Sequence, residues 1–345
     1  MRAEDVAVPF ADAPGMEQVE AIINSWRRPA LPDRLEHLAL NVGEGSTIEL
    51  AHLIRRSLAE IQNVCHKAQL EVKLISWLYD FIRANVKRGR VFNLGEVLLQ
   101  GSADCLGYAK LFTLLGRLFG LDAGVIEIVV DNAGRYVPHT AVLVRLSDGR
   151  LRVIDLWYGS KNIRHKRIGL QVKQHGAWRI EDVEMGRLSN QREKCYLSDS
   201  CVDAITHYIY GNRYLERQEF DNAIKCYSKG ICLYPGNARL FYNRAIAYEN
   251  LGEYEKADVD YAQALRDSAA MIRLLATEHD EVTALLDLDA KGLDSLAQDM
   301  YSLYRGFATG KEVQLSTVAR KFGLSEAKAR AILSLVEAKL AVGSD

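Results

Sequence analysis

GSADCLGYAKLFTLLGRLFGL, residues 101–121, is the stretch that decides the fold class. Gly101, Ser102 and Asp104 form a polar turn. Leu106, Ala109, Phe112, Leu115, Leu118 and Phe119 then recur at helical spacing, and Gly120 fits the position just past a helix end. Cys105 therefore opens a helix, where free backbone N–H groups and the macrodipole favour an anion. A thiol attacks as thiolate, so a helix start is one of two devices that activate it; a nearby imidazolium is the other. Cys65, Cys195, Cys201, Cys226 and Cys232 lack this combination and read as reduced, mostly buried thiols.

Three β-rich runs follow: GVIEIVV (124–130), HTAVLVRL (139–146) and RLRVIDLWY (150–158). Turn signals at Asn132–Gly134 and Ser147–Gly149 separate them. Helices followed by an antiparallel meander make an α+β arrangement. His139 opens the second run and Asp155 lies on the third. If the loop between them were only Asp148-Gly149, His139 would face Tyr158, and Asp155 would lie on the opposite sheet face. With a three-residue loop and Gly149 left-handed, Leu146 pairs with Arg150, His139 faces Trp157 and Asp155 faces Ala141. His139 and Asp155 are then same-face diagonal neighbours, roughly 7–8 Å apart at Cα. Ser-Asp-Gly suits the three-residue loop. Asp155 stands in an apolar run, Val-Ile-Asp-Leu-Trp, where an unpaired carboxylate is costly. His165 and His175 fall in a basic, loop-like stretch and read as surface residues.

Upstream, Pro29, Pro32, Gly43 and Gly45 leave residues 1–45 weakly patterned, and residues 47–86 read as helical. The whole chain has 345 residues, 48% apolar and 26% charged, with net charge −1. That balance argues against a global field for nucleic acid or membrane. Neither an apolar leader nor a membrane-length apolar run is visible, so a cytoplasmic protein is expected. No C-x-x-C pair or His spacing suggests a metal, and no cofactor is expected.

With these residues in view, 47–160 resembles the core of the transglutaminase-like superfamily, which shares its Cys-His-Asp geometry with papain-type proteases. The resemblance rests on GSADCLGYAKLFTLLGRLFGL, then His139 on a strand, then RVIDLWY with Asp155. It implies Cys105 as nucleophile, His139 as general base and then acid, and Asp155 as holder of the His tautomer. Val137-Pro138-His139-Thr140 departs from the pattern, since many relatives have an aromatic soon after the His. An oxyanion hole needs two donors. The Cys105 N–H is the natural first; the Gln100 amide is either the second or a cap of the turn. Trp157 either shields the His–Asp pair from water or simply packs on the sheet.

Further on the chain repeats itself. Gly211 and Ala245, Tyr214 and Tyr248, Phe220 and Tyr254, Ala223 and Ala257, Tyr227 and Tyr261, and Gly230 and Ala264 are all 34 apart. This resembles the tetratricopeptide repeat over 204–271, with Pro235 ending the first repeat. Residues 272–307 are expected to cap the pair. The tail, 315–340, resembles a helix-turn-helix around Gly323-Leu-Ser325. Residues 311–345 hold six basic and four acidic side chains, an excess too thin to favour DNA over a protein-contact or capping role.

The expected organisation is therefore a segment 1–45, a transglutaminase-like α+β domain over 46–200, two tetratricopeptide repeats over 201–271, and a helical region over 272–345. The expected function is acyl transfer through a thioester on Cys105, by peptide or amide hydrolysis or transglutamination, with the repeats recruiting a protein or peptide. The alternatives are an inactive protein-interaction scaffold and a DNA-associated regulator.

Overall fold

The ladder between the strands around Ser147–Gly149 sets the architecture of the computed structural model, which describes residues 10–37, 45–133, 136–174, 177–184, 194–265, 314–322, 329–330 and 333. Leu146 N–H donates to Arg150 C=O (2.8 Å), Gly149 N–H donates to Leu146 C=O (2.8 Å), and Gly149 has φ 85°. The loop has three residues, as the Ser-Asp-Gly chemistry predicts. Buried Glu71 holds it from below, accepting from Ser147 N–H (2.7 Å) and Ser147 Oγ–H (2.5 Å).

The chain divides into two compact units, 1–203 and 204–345. The first mixes helix and sheet. Helices α1 (Met16–Ser25), α2 (Asp33–Glu36), α3 (Thr47–Glu60) and α4 (Val64–Asn85) come first. The stretch 47–86 that reads as helical holds two helices, because Asn63 caps a new start through His66 N–H. Strand β1 (Lys87–Arg88), α5 (Leu94–Gln100), β2 (Ser102–Ala103) and α6 (Cys105–Leu118) follow. Then come β3 (Asp122–Val130), β4 (Tyr136–Arg145), β5 (Leu151–Ile154), β6 (Arg167–Gln174), β7 (Ala177–Glu184) and β8 (Lys194–Cys195). The main sheet has the order β5-β4-β3-β6-β7, with β8 also on β6, and all its pairings are antiparallel.

Helix α6 is buried along nearly its whole length and packs on β3 and β4, with α3, α4 and α5 around it. Even Lys110 on α6 is fully buried, satisfied by Asp12 at 2.6 Å. Phe10, Val19, Ile23 and Leu35 join the core, so residues 10–37 are part of this unit. A second apolar cluster on the sheet joins Ile126, Ile128, Ala141, Leu143, Val153 and Ile168.

Helix α7 (Asp199–Glu216) leads into the second unit, continued by α8 (Phe220–Leu233), α9 (Ala238–Asn250) and α10 (Tyr254–Leu265). The 34-residue repeat shows in the packing. Tyr227 and Tyr261 are buried in successive helix pairs. A Cβ on Gly211 would collide with the Tyr227 ring, so that position must stay small. Gln218 and Gly252, also 34 apart, both have positive φ in the turns between paired helices. Helix α11 (Leu315–Phe322) is the first half of the expected helix-turn-helix. The turn at 323–325 and the expected cap at 272–307 lie outside the described residues. No described helix is long and apolar enough to cross a membrane.

Replacing Glu71 with Ala removes the acceptor for two Ser147 groups, and Glu71→Gln keeps one. We expect urea unfolding to show a loss of about 2 kcal/mol for Glu71→Ala and a smaller loss for Glu71→Gln.

Candidate active site

The Cys105 end of α6 is anchored on several sides. Gly101 ends α5 in the left-handed region (φ 60°). The chain then enters β2, which pairs in parallel with β1 just after α4. Asp104 N–H donates to Val91 C=O (2.8 Å), and the Asp104 carboxylate caps the helix by accepting from Gly107 N–H (2.9 Å). A Cβ on Gly107 would strike the Val91 carbonyl oxygen, so the helix start sits hard against the backbone at Val91. Cys105 itself is partly exposed.

His139 stands on β4 opposite Ile128, and 7% of it is exposed. The register Val142–Ile154, Leu143–Val153, Val144–Arg152 and Arg145–Leu151 extends to bring Asp155 beside Ala141, on the His139 face. The His139 Nε2 lies 2.7 Å from Asp155 Oδ2, and the same imidazole hydrogen-bonds with the Cys105 side chain. Cys105, His139 and Asp155 are therefore one hydrogen-bonded chain.

The strand stops sooner than RVIDLWY suggests. Asp155 and Ser160 exchange backbone hydrogen bonds (2.9 and 2.8 Å), and residues 156–159 form a turn with Gly159 at φ 75°. Trp157 consequently does not face His139; its ring meets the Arg88 guanidinium, 5.6 Å from the ring centroid. Tyr158 takes the shielding position. Its ring packs edge-on against His139 (centroids 5.0 Å, 89°), and its N–H donates to Asp155 Oδ1 (2.9 Å). Gln100 closes α5 with its side chain exposed, so packing does not hold its amide at the thiol.

The expectation that His165 is a surface residue is overturned. His165 is 1% exposed, and its Nε2 lies 3.1 Å from the same Asp155 oxygen that His139 uses. The basic run Arg164-His165-Lys166-Arg167 reads as solvated, but backbone bonds on either side of His165 hold that residue inward. Ile163 N–H donates to Val153 C=O (3.0 Å) and Lys166 N–H to Val130 C=O (3.1 Å). His175 lies outside the described residues.

The electrostatics follow from this geometry. Burial by itself would push the His139 imidazolium down, but its hydrogen bonds with Asp155 and Cys105 outweigh that and raise it to about 9. Burial would push the Asp155 carboxyl up, but hydrogen bonds from His139 and His165 hold it down at about 2. Among the described residues, no group of three or more His, Cys, Asp or Glu could hold a metal ion.

Residues 211–252 match a family model described as TPR repeat. The chain is similar to human sperm-associated antigen 1, at 25% identity over 153 residues. That stretch covers 40% of this chain and 16% of that protein, so the chain spans a small part of its relative's length. No solved structure matches the chain. These matches establish a tetratricopeptide-type helical region, a fold that generally mediates protein–protein contact. They give no support to a transglutaminase-like or papain-like domain.

The His139–Asp155 pair titrates as a unit. Because His139 is raised, its contribution to stability is full below its ordinary 6.5 and is lost as pH rises through about 9. The Asp155 contribution is present above the ordinary carboxyl range and is lost as pH falls through about 2. Denaturant unfolding between pH 6 and 10 should therefore show stability falling from about pH 6.5 and levelling off above about pH 9. In Asp155→Asn that fall should disappear, with about 3 kcal/mol already lost at pH 7.

Proposed function

We propose that this protein is a cysteine-nucleophile acyl-transfer enzyme that forms a thioester on Cys105, in the manner of the transglutaminase-like superfamily its sequence resembles. The observation that carries the reading is the hydrogen-bonded chain from Cys105 through His139 to Asp155, at a helix N-terminus. The Cys105 Sγ attacks the substrate carbonyl carbon, and negative charge develops on the carbonyl oxygen. The Cys105 backbone N–H, one of the unpaired donors of a helix start, is the natural first stabiliser of that charge. The proton carried by His139 passes to the leaving amine, and the C–N bond breaks to leave a thioester. His139 then takes a proton from water or an incoming amine, whose attack expels the Cys105 sulfur. Asp155 keeps the ring oriented and its charge compensated throughout. Hydrolysis of a peptide or amide is favoured over cross-linking to an amine. The repeats of 199–265 serve to recruit the protein or peptide substrate.

A second reading has its own support. The family-model match falls at 211–252, within the tetratricopeptide region, and this favours a non-catalytic interaction scaffold built around those repeats. The two readings part at the thiol. Iodoacetamide at pH 6, followed by mass analysis, should label Cys105 at least about tenfold faster than exposed Cys65 and Cys232. His139→Ala should abolish that advantage. Equal, slow labelling of all the thiols would exclude the enzyme and leave the scaffold.

A further inference from the structure

We infer that His165 is a positioning residue for the Cys105–His139 pair, because it holds Asp155 in place and shares the very oxygen through which Asp155 acts on His139. The inference deepens the acyl-transfer reading and names a residue outside the Cys-His-Asp set.

The geometry carries it. Asp155 accepts three described hydrogen bonds: His139 Nε2–H and His165 Nε2–H on Oδ2, at 2.7 and 3.1 Å, and Tyr158 N–H on Oδ1, at 2.9 Å. His165 is buried, and its Nδ1 has no hydrogen-bond partner. Asp155 is therefore the one polar partner of the His165 ring among the described residues. A buried polar ring with a single polar partner is kept for that partner. Tyr158 lies edge-on to both imidazoles, 5.0 Å from His139 and 5.7 Å from His165 by ring centroids.

The groups that can titrate around this cluster come from every neighbouring element. Asp155 and Tyr158 come from the turn after β5, and His139 from β4. Cys105 reaches it from α6 through His139. Tyr79 on α4 feels the Asp155 charge, and Asp131 after β3 receives the Tyr158 hydroxyl at 3.5 Å. Arg164 and Lys166, flanking His165, are exposed.

A carboxylate oxygen shared by two donors attracts each less than it would attract one alone. His165 therefore fixes the carboxylate and tempers its pull on the His139 proton. Removing the His165 donor leaves Oδ2 to His139, and His139 should hold its proton to higher pH.

The test is an NMR titration of the His139 ring nitrogens in the full chain, for wild type, His165→Met, His165→Asn and His165→Gln. A Gln amide can stand where Nε2 stands; an Asn amide falls short of it. In His165→Met and His165→Asn the His139 midpoint should rise by about one pH unit, and His165→Gln should return it toward wild type. A midpoint that stays put or falls in both would overturn the inference. Should His165→Met fail to fold, the Asn and Gln variants decide by the same criterion. The titration needs no turnover. Slow, unselective labelling of Cys105 would end the acyl-transfer reading, while the His139 midpoints would still judge His165.

Discussion

The register set by Ser147–Gly149 is the constraint on which the rest of the first unit depends. Side chains alternate along a strand, so a slip of one residue at this turn would move Asp155 to the far face of the sheet. Two features prevent the slip. Gly149 occupies a left-handed conformation that a side chain would resist, and buried Glu71 binds both the N–H and the hydroxyl of Ser147. Glu71 belongs to α4, whose C-terminal end leads into β1, and β1 pairs with the β2 segment just before Cys105. One helix thus links the turn that sets the His–Asp register to the segment that seats the thiol.

Burying a charged pair is costly, and the site meets that cost through hydrogen bonds. A carboxylate drawn out of water needs several donors before its charged form is favoured there. Asp155 has two imidazoles and a backbone N–H, and it stays ionised despite being 1% exposed. That ionised carboxylate is what holds the proton on His139 against the pull of burial. The thiol end is treated differently. Cys105 is left partly open at a helix start.

How much of this was legible depends on how local each cause is. The helix opening at Cys105, the three-residue turn and the 34-residue repeat all follow from short-range chemistry, and the structure has all three. Tyr158 rather than Trp157 against His139 depends on where β5 ends. The clue was Gly159, two residues past Trp157, which marks a turn that a continuous strand reading overlooks. The alternation Ile168, Leu170, Val172 signals β6 by pattern, yet its basic flank disguised it as a loop. His165 was hidden for a stronger reason. Its burial arises from backbone bonds to β5 and β3, partners 10 and 36 residues from the donors that reach them, Ile163 and Lys166. No window around His165 contains them.

The second unit offers a repeated helical surface. A repeat surface gains contact area with each helix pair. Tyr227 and Tyr261 show how each pair is built, an aromatic filling the groove that a small residue on the facing helix leaves. On the acyl-transfer reading, a peptide held by the repeats would meet Cys105 at an effective concentration set by the tether rather than by the bulk. Selectivity would then lie in the repeats, and the Cys-His-Asp cluster would need only to hold its protons in the right places.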